Sequence, residues 1–224
     1  MADAQAREKI LGAFLTLLAE KRFERIELSE VAQLANVSLA DLCGEFGSTF
    51  DMVSAFMRET DKKVLSGGEQ LTLDSESGDQ SARDRLFEVL MRRFEALAPH
   101  REAIRSLYRS ARTNPQLAMG INKLAVRSHQ WMLSAAGVGS SGMIGGMRAQ
   151  ALAGFFARAT QTWLDDEDPG LARTMASLDR QLETAERLAG FAREMCRFIP
   201  RCRPRRSRRD EAVFPEDPNA PVAV

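Results

Sequence analysis

The chain has 224 residues, enough to bury a substantial core without disulfide or metal staples, as one large domain or a small one joined to a larger one. Lys+Arg and Asp+Glu each total 31, so no net field draws the molecule onto nucleic acid or an anionic membrane, and any such attraction must be local. Cys43, Cys196 and Cys202 form no C-x-x-C pair, which argues against a disulfide framework or zinc site and for reduced thiols. The N-terminus, with Asp3, Arg7, Glu8 and Lys9, does not read as a secretory signal, and no apolar run reaches the roughly 20 residues that span a bilayer. A soluble, cytoplasmic protein is expected.

From Ala6 to Lys21, Ile10, Leu11, Phe14, Leu15, Leu17 and Leu18 draw one apolar stripe on a helix. Phe23 and Ile26 follow in a short connection. Leu28 to Ala35 then reads as a short helix with one apolar face, carried by Leu28, Val31, Ala32 and Ala35. Asn36-Val37-Ser38 is a turn. Ser38 is a good N-cap for a helix from Leu39 to Phe46, and Ser48 or Thr49 caps a longer one carrying Phe50, Met52, Val53, Phe56, Met57 and Val64. Ser66 to Gln80, rich in Gly, Ser and acids without periodicity, reads as a flexible linker.

Beyond it, helices are predicted at Ala82–Leu97, Arg101–Ala111, Pro115–Ala135, Met143–Leu164 and Pro169 to about Phe198, with a loop at Gly137–Gly142. In the last helix Leu171, Met175, Leu178, Leu182, Ala185, Ala189 and Ala192 alternate steps of four and three, the seam of two packed helices. Leu171, Met175, Leu178, Leu182 and Ala185, with Ala151 and Ala159 of the preceding helix, are therefore candidate dimerisation residues. No β signal is present. The tail from Pro200 to Val224 should be disordered. A cluster of Arg197, Arg201, Arg203, Arg205, Arg206, Arg208 and Arg209 could contact an anionic surface, either nucleic acid or lipid.

The stretch REKILGAFLTLLAEKRFERIELSEVAQLANVSLADLCGEFGSTFDMV resembles the DNA-binding domain of the TetR family, with Phe23, Val31, Ala32, Ala35, Val37, Ser38, Leu42, Phe46 and Met52 at that family's framework positions. The resemblance implies an all-α, TetR-like fold. Its parts would be a three-helix helix-turn-helix domain (1–48), a connecting helix (49–65), the linker (66–80), a larger helical ligand-binding and dimerisation domain (81–199) and the tail (200–224). It also implies a homodimer on operator DNA, with the helix from Leu39 in the major groove. The candidate DNA contacts are Arg22, Arg25, Ser38, Leu39, Ala40, Cys43, Gly44, Ser48 and Thr49.

The sequence departs from that family at Cys43, where a Tyr is usual, at Thr49, where a Lys is usual, and at Asn36, where a Gly is usual. Between Arg25 and Arg58 there is no Lys or Arg, whereas Glu27, Glu30, Asp41, Glu45 and Asp51 are acidic. Affinity for DNA comes largely from phosphate neutralisation, so such a reading head starts from repulsion. The hydroxyls of Ser38, Ser48 and Thr49 and helix N-terminal amides remain as phosphate donors. A second stretch, ATQTWLDDEDPGLARTMASLDRQLETAE, looks like a C-terminal signature shared by a TetR-like subgroup and the TetR-fold accessory proteins of ubiquinone (coenzyme Q) biosynthesis. Those accessory proteins bind lipid instead of DNA. This likeness implies, as an alternative, an isoprenoid or quinone-like lipid and a partner enzyme.

Phe94, Leu107, Trp131, Met132, Met147, Phe155 and Phe156 are the candidate ligand-binding residues. Large groups among small ones (Ala149, Ala151, Ala153, Gly154, Ala157) could leave room for an apolar ligand, although the same residues also read as ordinary core. The run Asp165 to Asp168 reads as a helix cap, with Asp168 at the N-cap and Pro169 first in the helix, in preference to a metal site. His100 and His129 have no partner at ligand spacing. No constellation for catalysis is present, and no cofactor is implied.

Overall fold

The computed structural model describes residues 2–67 and 81–198, with side chains over 5–67 and 81–187. The expected linker beyond Gly67 and the tail beyond Phe198 lie outside the described residues. Residues up to Glu186 form one compact unit, and the chain from Arg187 on forms a second, whose described part is the end of the last helix. The helices are α1 (Ala2–Glu20), α2 (Leu28–Ala35), α3 (Leu39–Glu45), α4 (Thr49–Ser66), α5 (Ala82–Leu97), α6 (Arg101–Thr113), α7 (Pro115–Ala135), α8 (Gly142–Leu164) and α9 (Ala172–Phe198). Short 3₁₀ turns cover Phe23–Arg25 and Ala98–His100, and no strand occurs among the described residues. None of the described helices is long and apolar enough to cross a membrane.

Local signals start and stop these helices. Glu27 and Glu30 form a reciprocal capping box at α2. Asn36 ends that helix at φ 53°, a left-handed position that Asn tolerates better than most residues, so it stands in for a glycine. Ser38 and Asp41 form the box of α3, and Ser48 caps α4 by accepting from the Asp51 amide at 3.1 Å. Asn114 Oδ1 accepts from the Leu117 amide at 3.0 Å, with Pro115 in the first turn of α7 where no donor is lost.

The start of α9 corrects the expectation for the acidic run. The helix begins at Ala172, and Pro169 lies in the preceding turn. Asp168 accepts from the amides of Gly170 and Ala172, both at 3.1 Å. The deeper cap is Asp166, 1% exposed, whose Oδ2 accepts from the Thr174 amide at 2.8 Å and the Thr174 hydroxyl at 2.7 Å. Desolvation works to raise its pKa, but these hydrogen bonds outweigh it and hold the carboxyl below its usual range. Reaching Thr174 from Asp166 leaves Leu171 at φ 52°, strained for a bulky residue, and moves the helix start past the proline.

Two hydrophobic cores form. The first joins Ile10, Phe14 and Leu18 of α1 with Val31 of α2, Leu42 of α3, Met52 and Val53 of α4, and Ala103 of α6. The second joins Val64 of α4 with Leu90 and Phe94 of α5, Met132 of α7, Leu152, Phe156 and Trp163 of α8, and Leu178 and Leu182 of α9. Helix α4 therefore belongs to both, and Phe56 packs against each. Helix α6 ties the connection after α1: Ser106 Oγ donates to the Lys21 carbonyl at 2.7 Å, and the Phe23 amide donates to Ser110 Oγ at 3.1 Å.

Close approach also locks α4 to α7. A Cβ on Gly120 would lie 2.7 Å from Phe50 Cζ, inside contact distance. Gly120→Ala should therefore displace the Phe50 ring and cost stability. In a Phe50→Ala background the same change should stabilise by about 1 kcal/mol through helix propensity alone, a reversal that denaturant titration of the double-mutant cycle would reveal.

His129 is fully buried, and desolvation, with help from the Arg93 charge, pushes its pKa down to about 3. The unfolded chain takes up this proton as pH falls through about 6.5 while the folded chain does not, so stability declines as pH drops from there towards the folded value. Between pH 7 and 5 the loss should be about 2 kcal/mol, and His129→Leu should remove it. His100, half-buried and shifted downward by desolvation and by Lys63, is present in both proteins, so the difference between their urea-unfolding free energies isolates His129.

Candidate functional site

The helix-turn-helix surface presents Leu39, Ala40, Asp41, Cys43 and Gly44 of α3 to solvent, with Leu39 56% exposed. Thus the expected base-reading residues Leu39, Ala40, Cys43 and Gly44 share the open face of α3. Ser48 and Thr49 are half-buried at the start of α4. Arg22 and Arg25 are exposed, and with Glu24, Thr113, Asn114 and Pro115 they line an open surface groove of about 400 Å³. Glu24 sits low in pKa there, where hydrogen bonds from its own backbone, Ser110 and Asn114 and the Arg22 charge outweigh desolvation.

The five acids of this segment all have intramolecular work. Glu27 and Glu30 cap α2, and Glu30 also pairs with Lys21 at 2.6 Å. Glu45 pairs with Arg7 at 3.2 Å, and the Arg7 guanidinium lies 4.4 Å from the centre of the Phe46 ring. Asp41 completes the capping box of α3, and both it and Asp51 take the cap hydroxyls: Ser38 Oγ donates to Asp41 Oδ2 at 2.7 Å, and Ser48 Oγ to Asp51 Oδ2 at 2.9 Å. This corrects the expectation that Ser38 and Ser48 are spare phosphate donors. Each hydroxyl has a single proton, and its own carboxylate holds it.

The second core contains three of the candidate ligand residues. Phe94 stacks on Phe156, ring centres 4.7 Å apart and planes 20° apart, and Trp163 lies 5.5 Å from Phe94. Met132 is fully buried beside them. Trp131 and Met147, however, are 57% and 68% exposed, because each falls on the outer face of its helix. Leu107 packs on the first core, and Phe155 is half-buried. Of the seven expected residues, Phe94, Met132 and Phe156 therefore lie together in the second core, beside His129 and Trp163.

A buried polar knot adjoins these rings. Arg93 of α5, 2% exposed, donates through Nη1 to Asp61 Oδ1 of α4, and Ser128 Oγ of α7 donates to the same oxygen at 2.6 Å. The Arg93 guanidinium lies 5.6 Å from the centre of Phe156, and the His129 ring 5.0 Å from it. His129 Nδ1 sits 2.7 Å from the Ala125 carbonyl, which can only accept, so Nδ1 carries the proton and Nε2 is a bare acceptor. Arg93 Nε, His129 Nε2 and Trp163 Nε1 are buried without a hydrogen-bond partner. Sequence reading missed this knot, although a signal was present. Asp61 and Arg93 interrupt apolar stripes, between Val53 and Val64 on α4 and between Leu86 and Leu97 on α5, where a charge needs a buried partner.

The dimerisation candidates divide. Ala159, Leu178 and Leu182 are buried in the chain's own second core. Ala151 and Met175 are exposed, and Leu171 and Ala185 are half-buried.

No known protein-family model matches the chain, and no curated protein matches it. Solved structures do. A TetR transcriptional regulator from Nitrosomonas europaea ATCC 19718 aligns at 22% identity and TM-score 0.62, covering 80% of this chain and 97% of its own. One from Rhodococcus sp. RHA1 aligns at 18% identity and TM-score 0.54, covering 83% and 97%. A tetR-family regulator from Streptomyces coelicolor aligns at 15% identity and TM-score 0.53, covering 89% and 88%. Likeness at these identities is one of fold, and the chain has the all-α fold of the TetR transcriptional regulators.

Proposed function

We propose that this protein is a TetR-like transcriptional regulator, a homodimer whose hold on operator DNA is modulated by a small apolar ligand in the second core. The observation that carries the reading is the course of α4. It starts against the reading helix, contributes Met52 and Val53 to the first core, and ends in the second, where Arg93 and Ser128 hold Asp61. A ligand that rearranges the second core would act on the same rigid rod that supports the reading head, which is how differential binding becomes a change in DNA affinity. Met143, Met147, Ala151 and Gly154 line one exposed face of α8, and a second copy would cover it.

A second reading keeps the fold but abandons DNA, as a lipid-binding accessory protein in ubiquinone synthesis that presents an isoprenoid or quinone-like lipid to a partner enzyme. The occupied hydroxyls of Ser38 and Ser48, together with the absence of any Lys or Arg between Arg25 and Arg58, favour it.

Fluorescence anisotropy against the protein's own upstream DNA, over a salt series, separates the two. Specific binding near or below roughly 10⁻⁸ M supports the regulator, whereas indifference to every sequence offered rules it out. On the regulator reading, Asp51→Asn removes one repulsive charge and should tighten DNA binding several-fold; a loss of affinity would mean that the Asp51 cap is needed to position the head. Light scattering should return twice the chain mass. Met147→Glu combined with Ala151→Glu should return the monomer with helicity intact, and a parent protein already monomeric at micromolar concentration would remove the dimer from this proposal.

A further inference from the structure

Two side chains that each hold a partnerless buried atom flank one ring. Arg93 and His129 lie 5.6 Å and 5.0 Å from the centre of Phe156, and Arg93 Nε and His129 Nε2 have no hydrogen-bond partner. A third, Trp163 Nε1, is one ring further on, beside Phe94. Leaving a buried polar atom unpaired costs roughly 1–3 kcal/mol, and native proteins hold few such atoms, so two around one aromatic side chain call for an explanation.

Charge and proton counting decide what would complete them. The Arg93 charge is already answered by Asp61, so a carboxylate here would bring an unmatched negative charge into a closed core. Arg93 Nε–H needs an acceptor, and His129 Nε2, with the ring proton held on Nδ1 by the Ala125 carbonyl, needs a donor. A hydroxyl, carried by water or by a ligand, is uncharged and accepts and donates at once. Phe94, Phe156, Trp163 and Met132 offer an apolar surround for the rest of the molecule.

We infer that the second core binds an uncharged, largely apolar alcohol or phenol, whose hydroxyl accepts from Arg93 Nε and donates to His129 Nε2. The inference rests on the ligand-modulated reading above and supplies the chemistry of its ligand. Entry requires the Phe94–Phe156 stack to part, and Trp163, 5.5 Å from Phe94, would register that movement.

The test uses the full chain carrying Trp131→Phe, which leaves Trp163 as the sole tryptophan. Three probes of like shape are titrated at pH 7 by calorimetry and by Trp163 fluorescence. They are 4-hexylphenol, which donates and accepts, 4-hexylanisole, which only accepts, and 4-hexylbenzoate, which is charged. The phenol should bind at least about tenfold tighter than either of the others, the yield of one well-made buried hydrogen bond. His129→Leu should bring the phenol to within about twofold of the anisole; if that variant does not fold, the comparison in the parent decides alone. Equal affinity for phenol and anisole, tightest binding of the benzoate, or no binding of any probe would each overturn the inference. No DNA is present in these titrations. A protein that binds the phenol without responding at its promoter would defeat the regulatory reading and leave this inference standing, and one that binds its promoter but none of the probes would do the reverse.

Discussion

Asp61 is the point on which the rest of the structure turns. Its carboxylate lies on α4, is gripped by the Arg93 guanidinium of α5 and the Ser128 hydroxyl of α7, and sits in a core that is otherwise apolar and aromatic. Burying two opposite charges gives little net stability, because desolvation cancels most of their attraction. Removing either partner leaves an uncompensated charge and costs about 3–5 kcal/mol. Such a pair is therefore a poor glue and a strict gauge of position. It allows α4 one place relative to α5 and α7, and α4 is the helix that also packs into the first core.

The same constraint explains why the polar atoms around Phe156 lie where they do. Arg93, turned through Nη1 towards Asp61, and the His129 imidazole, tied by Nδ1 to its own helix, both pack against the Phe156 ring. Fixing α4 thus also sets the polarity of the ring cluster. Those rings pack next to the ion pair, so the ring cluster and the position of α4 share one core.

The helix-turn-helix unit is built on a different principle. Its short helices begin with acids: Glu27 with Glu30, and Asp41, accept from amides that a nucleic-acid binder commonly offers to phosphate, and Asp51 holds the Ser48 hydroxyl that caps α4. The acids that look like pure repulsion in the sequence are the reason these short helices hold together, and the open face of α3 is left with Leu39, Ala40, Cys43 and Gly44. Contact with DNA through that face would rest on shape and apolar contacts to base edges, with cations supplied from Arg22, Arg25 and beyond.

Much of this was legible in the chain. The spacing of Ile10, Phe14 and Leu18, of Val31 and Ala35, and of Leu86, Leu90 and Leu97 determined the helices, because the periodicity of apolar residues and the caps at Ser38 and Ser48 are local properties. What tertiary structure alone decided was the partner of each side chain. It turned Leu178 and Leu182 into the chain's own core, sent Trp131 and Met147 to the surface, moved the start of α9 past Pro169 so that Asp166 could reach Thr174, and brought Asp61 to Arg93 across 32 residues. Periodicity names the apolar face of a helix. Which face it meets, and which buried charge finds its counter-charge, depends on packing between segments far apart in the chain.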